Sequence, residues 1–334
     1  MKRQRPTLEM VAQRAGVSRA TVSRVVNEST TVAADIRTVV MLAIQELGYV
    51  PNRAARSLAR RRSDSYALVL PAPVNRRHSD NQFFPEVIRG VGEELQASES
   101  HLVLMTAGSP TSCERVKRYI MAGHVDGAVV APSHGADPLP AALSHAGFPV
   151  VANGRPLGLS SVSYVDVDSA SGVGAAVRYL ISSGRHRIAT IAGPQDSVAG
   201  VDRLTAYHAV LADSGRPPAV AFGDFTWESG KAAMLELLDA DPEIDAVVVA
   251  SDLMAHGALS ALRRAGRRVP DDVAVIGFDD IELSRYTDPP LTTVHQPLLE
   301  LGRTLARQLL RMVTSERPQP PVILPTTLIV RESA

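Results

Sequence analysis

Apolar residues in the first fifty positions recur every three or four residues, the spacing of a helix that buries one face. In the first such stretch they are Leu8, Val11, Ala12 and Ala15, and in the second they are Val22, Val25 and Val26. Gly16 between the stretches can adopt the positive φ of a tight turn, and Ser18 stands where a helix N-cap belongs. The pattern predicts a helix-turn-helix, a motif whose second helix enters the major groove of DNA.

A third helix is predicted over residues 34–47, with Gly48 following it as a C-terminal cap. Its inward positions are expected to be Ile36, Val39, Val40, Ala43 and Leu47. Residues 1–50 therefore form a small helical domain. Residues 51–65 are expected to be a hinge and linker, because the segment after Pro51 favours a helix that is too short to be stable alone. An ordinary basic linker is the alternative for that segment.

From Tyr66 onward, short apolar runs alternate with longer helical patterns. The runs cover residues 66–70, 102–106, 127–131, 149–153, 188–193, 246–250 and 273–278, and the helical segments include 84–97, 168–183, 202–214 and 252–265. Alternating strands and helices predict parallel sheets covered by helices on both faces. The units are too many for one compact half, so residues 66–334 are expected to form an α/β body of two lobes.

The charge of the chain is unevenly distributed. Residues 1–62 hold twelve Lys and Arg against four Asp and Glu, although the whole chain has 35 of each. A basic head on an acidic body is expected when only the head meets a polyanion. The alternative is a purely structural or protein-docking bundle, which does not need the outward polar residues of the second helix.

Several protein classes are disfavoured by what the sequence lacks. No window has the apolar length of a membrane span, and the first residues lack the apolar segment of a secretion signal, so a cytoplasmic protein is expected. The single cysteine, Cys113, excludes an intrachain disulfide framework and a multi-cysteine zinc site. The nine His show no metal-ligand spacing, and no catalytic signature is present. Neither a metal, a cofactor nor an enzymatic activity is expected.

The segments TLEMVAQRAGVS, TVSRVVN, NRAARSLA, VDVDSASG, VIGFDD and LTTVHQP together resemble the lactose-repressor family of bacterial regulators. The resemblance covers nearly the whole chain. It implies a periplasmic-binding-protein-like body in which the chain passes between the lobes near residues 166, 293 and 320. The N-terminal lobe would then comprise about 66–165 and 295–319, and the C-terminal lobe about 166–294 and 320–334.

The resemblance also implies which residues contact DNA. Arg19, Ala20 and Arg24 match positions that face base edges, whereas Thr21, Ser23 and Asn27 match positions that contact phosphates. In the hinge, Leu58 matches a leucine that wedges into the minor groove at the centre of a palindrome. The remaining residues of the implied DNA-binding set are Ser18, Asn52 and Ala55.

In the body, candidate effector residues follow strand-like runs or stand at helix starts. Phe83, Phe84 and Phe225 can stack on the apolar face of a sugar, and Arg203 and Asp279 can clamp its hydroxyl groups. Ser251 matches a further polar position of the family. The alternatives are that the aromatic residues belong to the core, that Arg203 forms a structural ion pair, and that Asp279 caps a helix. Asp252 is expected to cap the helix that follows it.

These observations favour a homodimeric repressor of a near-palindromic operator on double-stranded DNA, with a mono- or oligosaccharide as the effector. A sugar receptor for transport and an enzyme acting on a sugar or nucleotide are the alternatives. The basic head and the missing signal segment disfavour the receptor, and a turnover assay would separate the enzyme. The sequence leaves open whether the effector releases or promotes DNA binding.

Overall fold

The structure is a computed structural model, and it describes residues 6–26, 29, 31–49, 62–71, 83–131, 137–157 and 161–334. The chain divides into two compact units, Met1–Asp64 and Ser65–Ala334. Each unit has hydrophobic clusters of its own. None of the helices in the described ranges combines the length and the hydropathy that crossing a bilayer requires.

The first unit contains three helices, as the periodicity predicted. They are α1 (Leu8–Ala15), α2 (Arg19–Val26) and α3 (Ala34–Leu47). The side chain of Thr7 caps α1 by accepting a hydrogen bond from the backbone N–H of Met10. Gly16 ends the helix with φ of 66°, a left-handed conformation that costs little only for glycine. The chain therefore turns within three residues and begins α2 at Arg19.

The core of the first unit is built from small and β-branched side chains. Its buried members are Val11, Ala12, Val22, Val25, Val40, Ala43 and Tyr49. The expectation that Val39 points inward is wrong, because its side chain is 47% exposed. The inward stripe of α3 runs through Val40, Ala43 and Leu47, and Val39 lies about 70° around the helix axis from its centre.

The second unit contains two six-stranded sheets. Its strands are β1 (Ser65–Pro71), β2 (His101–Ala107), β3 (Gly127–Val130), β4 (Val150–Asn153), β5 (Ser163–Val167), β6 (Ile188–Ala192), β7 (Ala219–Phe222), β8 (Ala246–Val249), β9 (Ala274–Asp279), β10 (Thr292–His295), β11 (Val322–Leu324) and β12 (Thr327–Ile329). The first sheet has the order β11-β5-β4-β3-β1-β2, and the second has the order β12-β10-β9-β8-β6-β7. All neighbours are parallel except β10 and β12. This arrangement confirms the predicted two-lobed α/β body.

Helices cover the sheets. They are α4 (Phe83–Ala97), α5 (Pro110–Tyr119), α6 (Pro138–His145), α7 (Ser169–Ser182), α8 (Val198–Asp213), α9 (Trp227–Ala240), α10 (Asp252–Arg264) and α11 (Leu298–Ser315), with a π turn at Ile120–His124 and a 3-10 turn at Glu282–Arg285. Strands such as β3, β6 and β8 are buried at every position. Each sheet carries one hydrophobic cluster on either face, which explains why these strands are unbroken apolar runs.

The chain passes between the lobes three times. It leaves the first sheet after β5, returns after β10 and leaves again between β11 and β12. The expected third passage near residue 320 is wrong. The backbone of residues 322–324 pairs with β5, which keeps this stretch in the first lobe, and the passage follows at residues 325 and 326.

Candidate functional site

The second helix of the first unit presents a polar surface. Ser18, Arg19, Ala20 and Arg24 are exposed, whereas Thr21 and Ser23 are half-buried. The Oγ of Ser18 accepts a hydrogen bond from the backbone N–H of Thr21 at 3.1 Å and lies 2.8 Å from its Oγ1. Ser18 therefore serves as the N-cap that the sequence predicted. Asn27, Asn52, Ala55 and Leu58, the other members of the implied DNA-binding set, lie outside the described residues.

Arg19 is paired with the preceding helix. Its Nε lies 3.0 Å from the Oε1 of Glu9, and the two side chains are 73% and 60% exposed. An ion pair this exposed contributes little to stability, so its guanidinium can exchange Glu9 for a phosphate or a base at small cost. The nearby Arg24 is exposed on the same helix. The helix thus offers two Arg side chains to a polyanion.

In the second unit, four predicted effector residues lie at the carboxyl ends of the second sheet. Asp279 is the last residue of β9, and Ser251 and Phe225 follow β8 and β7. Arg203 lies on α8, which follows β6. Ligands of open α/β sheets bind beyond the carboxyl ends of the strands. The topology therefore gathers these four residues at one edge of one lobe.

Arg203 is the centre of this cluster and is only 7% exposed. Its Nη1 donates a hydrogen bond to the carbonyl oxygen of Ala250 at 2.5 Å and lies 3.8 Å from the Oδ1 of Asp279. The guanidinium stacks 3.6 Å from the ring centroid of Phe278. Its Nε is buried and has no hydrogen-bond partner among the described residues. A buried donor without an acceptor is rare in folded proteins and marks this Arg as more than an ordinary structural ion pair.

Asp279 is held in a strained conformation. Its φ is 116° and that of the next residue, Asp280, is 56°, values that non-glycine residues seldom adopt. Its Oδ1 accepts a hydrogen bond from the Nε2 of Gln296 at 2.5 Å. Strain of this kind persists only where the surroundings enforce it, and it clusters at functional sites. Here it turns the carboxyl group toward Arg203.

Burial shifts the pKa values of Asp279 and Arg203 in opposite directions. It raises the pKa of Asp279 to about 6, although Arg203 and the hydrogen bond from Gln296 oppose the rise. It lowers the pKa of Arg203, against the attraction of Asp279 and Asp166. Both shifts follow from the cost of keeping a charge away from water. The carboxyl of Asp279 therefore changes its charge within one or two units of neutral pH.

Phe225 also has an unusual backbone, with φ of 66°. Its ring packs against Gly193, the first residue after β6, and against the hydrophobic cluster of the second lobe. Phe83 and Phe84 lie in the first lobe, at the start of α4. Their rings meet edge to face, with centroids 5.2 Å apart at 85°, and both pack partly against the first lobe's cluster. All three rings are thus packed partly against a hydrophobic cluster, and their stacking on a ligand stays a prediction.

The cap of α10 is Ser251 and not Asp252, the residue expected in that role. Ser251 caps α10, because its side chain accepts a hydrogen bond from the backbone N–H of Met254. Asp252 instead accepts from the Oγ1 of Thr293 at 2.5 Å and from the backbone N–H of Ile281 at 2.9 Å. The expectation that Asp252 caps this helix is wrong. The carboxyl of Asp252, at the first helical position, reaches β10 and the segment after β9, whereas Ser251 precedes the helix in the extended conformation that a cap requires.

Asp280 ties the same edge to two later segments of the chain. Its Oδ2 lies 3.0 Å from the Nδ1 of His295, and its Oδ1 accepts from the Nη2 of Arg331 at 2.5 Å. Burial alone would raise the pKa of Asp280, but these two partners lower it overall. His295 is the last residue of β10, where the chain returns to the first lobe. The strained segment is thus braced at a passage between the lobes.

Sequence reasoning did not identify Gln296, Gly193 and Asp166 as site residues. Gln296 follows β10, and its side chain reaches Asp279 because β10 pairs with β9. Asp166 lies in β5 and accepts backbone hydrogen bonds from Arg155 and Val167. Contacts between residues that are far apart in the sequence leave no local pattern in it. Among the described residues, no group of three or more His, Cys, Asp and Glu is arranged to hold a metal ion.

Two families match this chain. Residues 7–52 match bacterial regulatory proteins of the lacI family, and residues 177–334 match a periplasmic binding protein-like domain. The HTH-type transcriptional regulator CelR of Thermobifida fusca is 49% identical over 338 residues, which cover 99% of each protein. Relatives of this kind are transcriptional regulators and not enzymes.

Solved structures agree with these matches. A transcriptional regulator CelR–cellobiose complex is 47% identical, with a TM-score of 0.78 over 99% of this chain and 100% of that one. The lac repressor dimer bound to operator and the anti-inducer ONPF is 28% identical, with a TM-score of 0.86 over 99% of each chain. The similarity spans the helical first unit and the two-lobed second unit alike.

Proposed function

Because this chain belongs to the lacI family of bacterial regulatory proteins, we propose that it is a homodimeric repressor controlled by cellobiose or a closely related oligosaccharide. The sugar binds in the body beside Arg203 and Asp279. Its binding lowers the affinity of the first unit for a near-palindromic operator. The observation that carries this proposal is the full-length similarity to a regulator whose complex with cellobiose is known.

The chemistry of the candidate site supports a sugar as the ligand. The guanidinium of Arg203 can donate to a hydroxyl oxygen, and the carboxylate of Asp279 can accept from a hydroxyl hydrogen. Hydrogen bonds to charged groups are stronger than those between neutral groups. Phe225 supplies a flat apolar surface close to this pair, and such surfaces bind the C–H faces of pyranose rings. A site with these parts binds a neutral polyol.

The two lobes supply complementary parts of the site. The second lobe carries Arg203, Phe225, Ser251 and Asp279, and the first carries Phe83 and Phe84. A ligand that contacts both lobes favours one relative placement of them, and only such differential contact can shift a conformational equilibrium. The effector thereby biases the arrangement that the first unit needs for binding DNA.

The first unit supports DNA as the partner. Arg19 and Arg24 of α2 are exposed, and each can donate two hydrogen bonds to a guanine base. Thr21 and Ser23 can contact phosphates. A single head of this size recognises only a short half-site. Two copies of the chain would read two half-sites, which makes the operator near-palindromic.

Isothermal titration calorimetry of the full chain with cellobiose, and with ribose as a control sugar, tests the effector assignment. We expect saturable binding of cellobiose, no comparable binding of ribose, and a rise in melting temperature with cellobiose concentration. Light scattering of the same sample should give twice the 35.6 kDa mass of one chain. An absence of heat and of any thermal shift with cellobiose would overturn the effector, and a monomer at operator-binding concentrations would overturn the dimer.

A further inference from the structure

An ion pair joins the two lobes near the candidate effector site. Arg155 lies two residues beyond β4 in the first lobe, and Asp202 lies on α8 in the second. The Nη2 of Arg155 is 2.8 Å from one carboxylate oxygen of Asp202 and 2.9 Å from the other. One nitrogen thus bonds both oxygens of a carboxylate that belongs to the opposite lobe.

Arg155 is anchored within its own lobe. Its backbone N–H donates to the Oδ2 of Asp166 at 2.9 Å, and the other oxygen of Asp166 accepts from the backbone N–H of Val167 at 2.8 Å. Asp166 lies in β5, immediately before the first passage between the lobes. The backbone of Arg155 is therefore fixed to the first sheet. The side chain of Arg155 can reach Asp202 without any ordering of its backbone.

Asp202 is adjacent in sequence to Arg203, the central residue of the effector cluster. The ion pair between the lobes therefore ends one residue before Arg203, whose guanidinium lies 3.8 Å from Asp279. On the basis of the effector site proposed above, we infer that Arg155 and Asp202 are positioning residues. They hold the two lobes, and hence the two halves of the sugar site, at binding distance without touching the sugar.

The size of the expected effect follows from exposure. The side chains of Arg155 and Asp202 are 49% and 34% exposed, so solvent and salt screen their attraction. Exposed pairs have small interaction free energies, which correspond to changes of about two- to fivefold in an equilibrium constant. The pair therefore tunes the placement of the lobes and does not lock it.

The chain provides a matched control pair within the second lobe. The Nη2 of Arg187 lies 2.7 Å from the Oδ2 of Asp241, and these side chains are 52% and 23% exposed. Arg187 precedes β6 and Asp241 follows α9, so breaking their bond changes surface charge without changing any contact between lobes. An effect confined to Arg155 and Asp202 is then due to their position and not to the loss of an ion pair.

The first test needs no ligand. Spin labels at the exposed positions Gln96 and Asp213, one in each lobe, report the distance between lobes in full-length protein that carries Cys113→Ser. We expect Arg155→Ala and Asp202→Ala to shift and broaden the distance distribution equally, and high salt to do the same to the parent but not to these variants. Arg187→Ala should leave the distribution unchanged. Identical distributions for the parent and Arg155→Ala would overturn the inference.

The second test uses cellobiose as the probe. Calorimetry should show a dissociation constant about two- to fivefold higher for Arg155→Ala, with an unchanged melting temperature and no further loss in the double variant with Asp202→Ala. The reversed pair Arg155→Glu with Asp202→Arg should recover most of the parent affinity. Additive losses, or equal losses in Arg187→Ala, would contradict a positioning role. If the parent binds no cellobiose, the effector assignment fails, and the label distances still decide the role of the pair.

Discussion

The aromatic ring of Phe225 lies directly against Gly193, so that a methyl group on this glycine would stand 2.7 Å from both the Cε1 and the Cζ atoms of the ring. Phe225 itself has a left-handed backbone conformation. The ring is thus fixed from two sides, by its own main chain and by the bare backbone of the loop after β6. A stacking surface that is fixed before the ligand arrives loses little entropy on binding.

We expect Gly193→Ala to displace the ring of Phe225 and to weaken cellobiose binding about three- to tenfold, the range that an aromatic contact contributes. The far end of a side chain can move, so the fold should be kept. Calorimetry with cellobiose measures the loss. Gly174→Ala is a suitable control, because its methyl group would meet only the flexible end of Arg178 at 3.2 Å.

A double-mutant cycle separates a displaced ring from a damaged lobe. In a Phe225→Ala background there is no ring for the new methyl group to meet, so Gly193→Ala should then cost nothing more. Equal losses from Gly193→Ala in both backgrounds would show that the glycine acts on the fold and not through the ring.

The pKa of Asp279 predicts how sugar binding depends on pH. A hydroxyl group that donates to Asp279 binds the charged carboxylate more strongly than the protonated form, and burial raises the pKa of Asp279 in the sugar-free protein to about 6. The affinity for cellobiose should therefore be constant above neutral pH and should fall, by up to about tenfold per pH unit, as the pH drops below this value. Asp279→Asn should bind weakly at every pH. A flat profile in the parent protein would exclude Asp279 as the acceptor.

The raised pKa of Asp279 makes the free energy of unfolding fall with rising pH, whereas it makes the sugar affinity rise. Because folded Asp279 keeps its proton to higher pH than the unfolded chain does, its contribution to the free energy of unfolding falls as the pH rises from about 4 to about 6. Urea denaturation of the parent and of Asp279→Asn across this interval should show that the parent loses stability relative to the variant. A relative gain would contradict the raised pKa.

Thr293 stabilises a buried carboxyl. Its Oγ1 is 2.5 Å from the Oδ1 of Asp252, whose pKa is raised well above its usual value by burial and by Asp279. Thr293→Val removes a donor from a desolvated acid and should lower the free energy of unfolding by about 1–3 kcal/mol. Thr190→Val should cost less, because the Oγ1 of Thr190 donates to a neutral carbonyl, that of Val248, within the sheet. Equal costs in urea denaturation would argue against a special role for Asp252.

Ser18 allows helix capping to be separated from DNA contact. Ser18→Ala loses the acceptor for the backbone N–H of Thr21 and should destabilise the first unit by about 1 kcal/mol. Ser18→Asp keeps an acceptor at the cap but places a negative charge on the face that carries Arg19 and Arg24. It should fold normally, by circular dichroism, and bind DNA more weakly at low salt. Unimpaired DNA binding by Ser18→Asp would place the DNA elsewhere.

Much of the fold was predictable because its strands are long apolar runs between amphipathic helices. The runs at 66–70 and 246–250 became β1 and β8, and the predicted bounds of α3 match those observed. The strands β5, β7, β10, β11 and β12 were missed. Of these, β7, β11 and β12 have three or four residues and lie partly exposed at the edges of the sheets, so they lack the continuous burial that produces a pattern. The strands β5 and β10 lie inside their sheets, but β5 alternates buried and half-buried positions and β10 has only four residues.

The candidate site was predictable only in part. Arg203 and Asp279 were both predicted to contact the effector, and the structure places the Nη1 of Arg203 3.8 Å from the Oδ1 of Asp279. The support of Asp279 by Gln296, and the bond between Arg155 and Asp202, depend on how distant segments meet after folding. Ser251 caps α10 in place of Asp252, because a cap requires an extended backbone at the residue before the helix, which composition does not determine.

The most direct measurement is the affinity of the full-length protein for DNA from its own promoter, by fluorescence anisotropy at fixed salt, with and without saturating cellobiose. A sugar-controlled repressor should prefer this DNA to a shuffled sequence, and cellobiose should weaken the preferred complex by about 5- to 150-fold, whereas ribose should not. Equal affinities with and without cellobiose, or no preference for the promoter sequence, would contradict control of DNA binding by a sugar in the body.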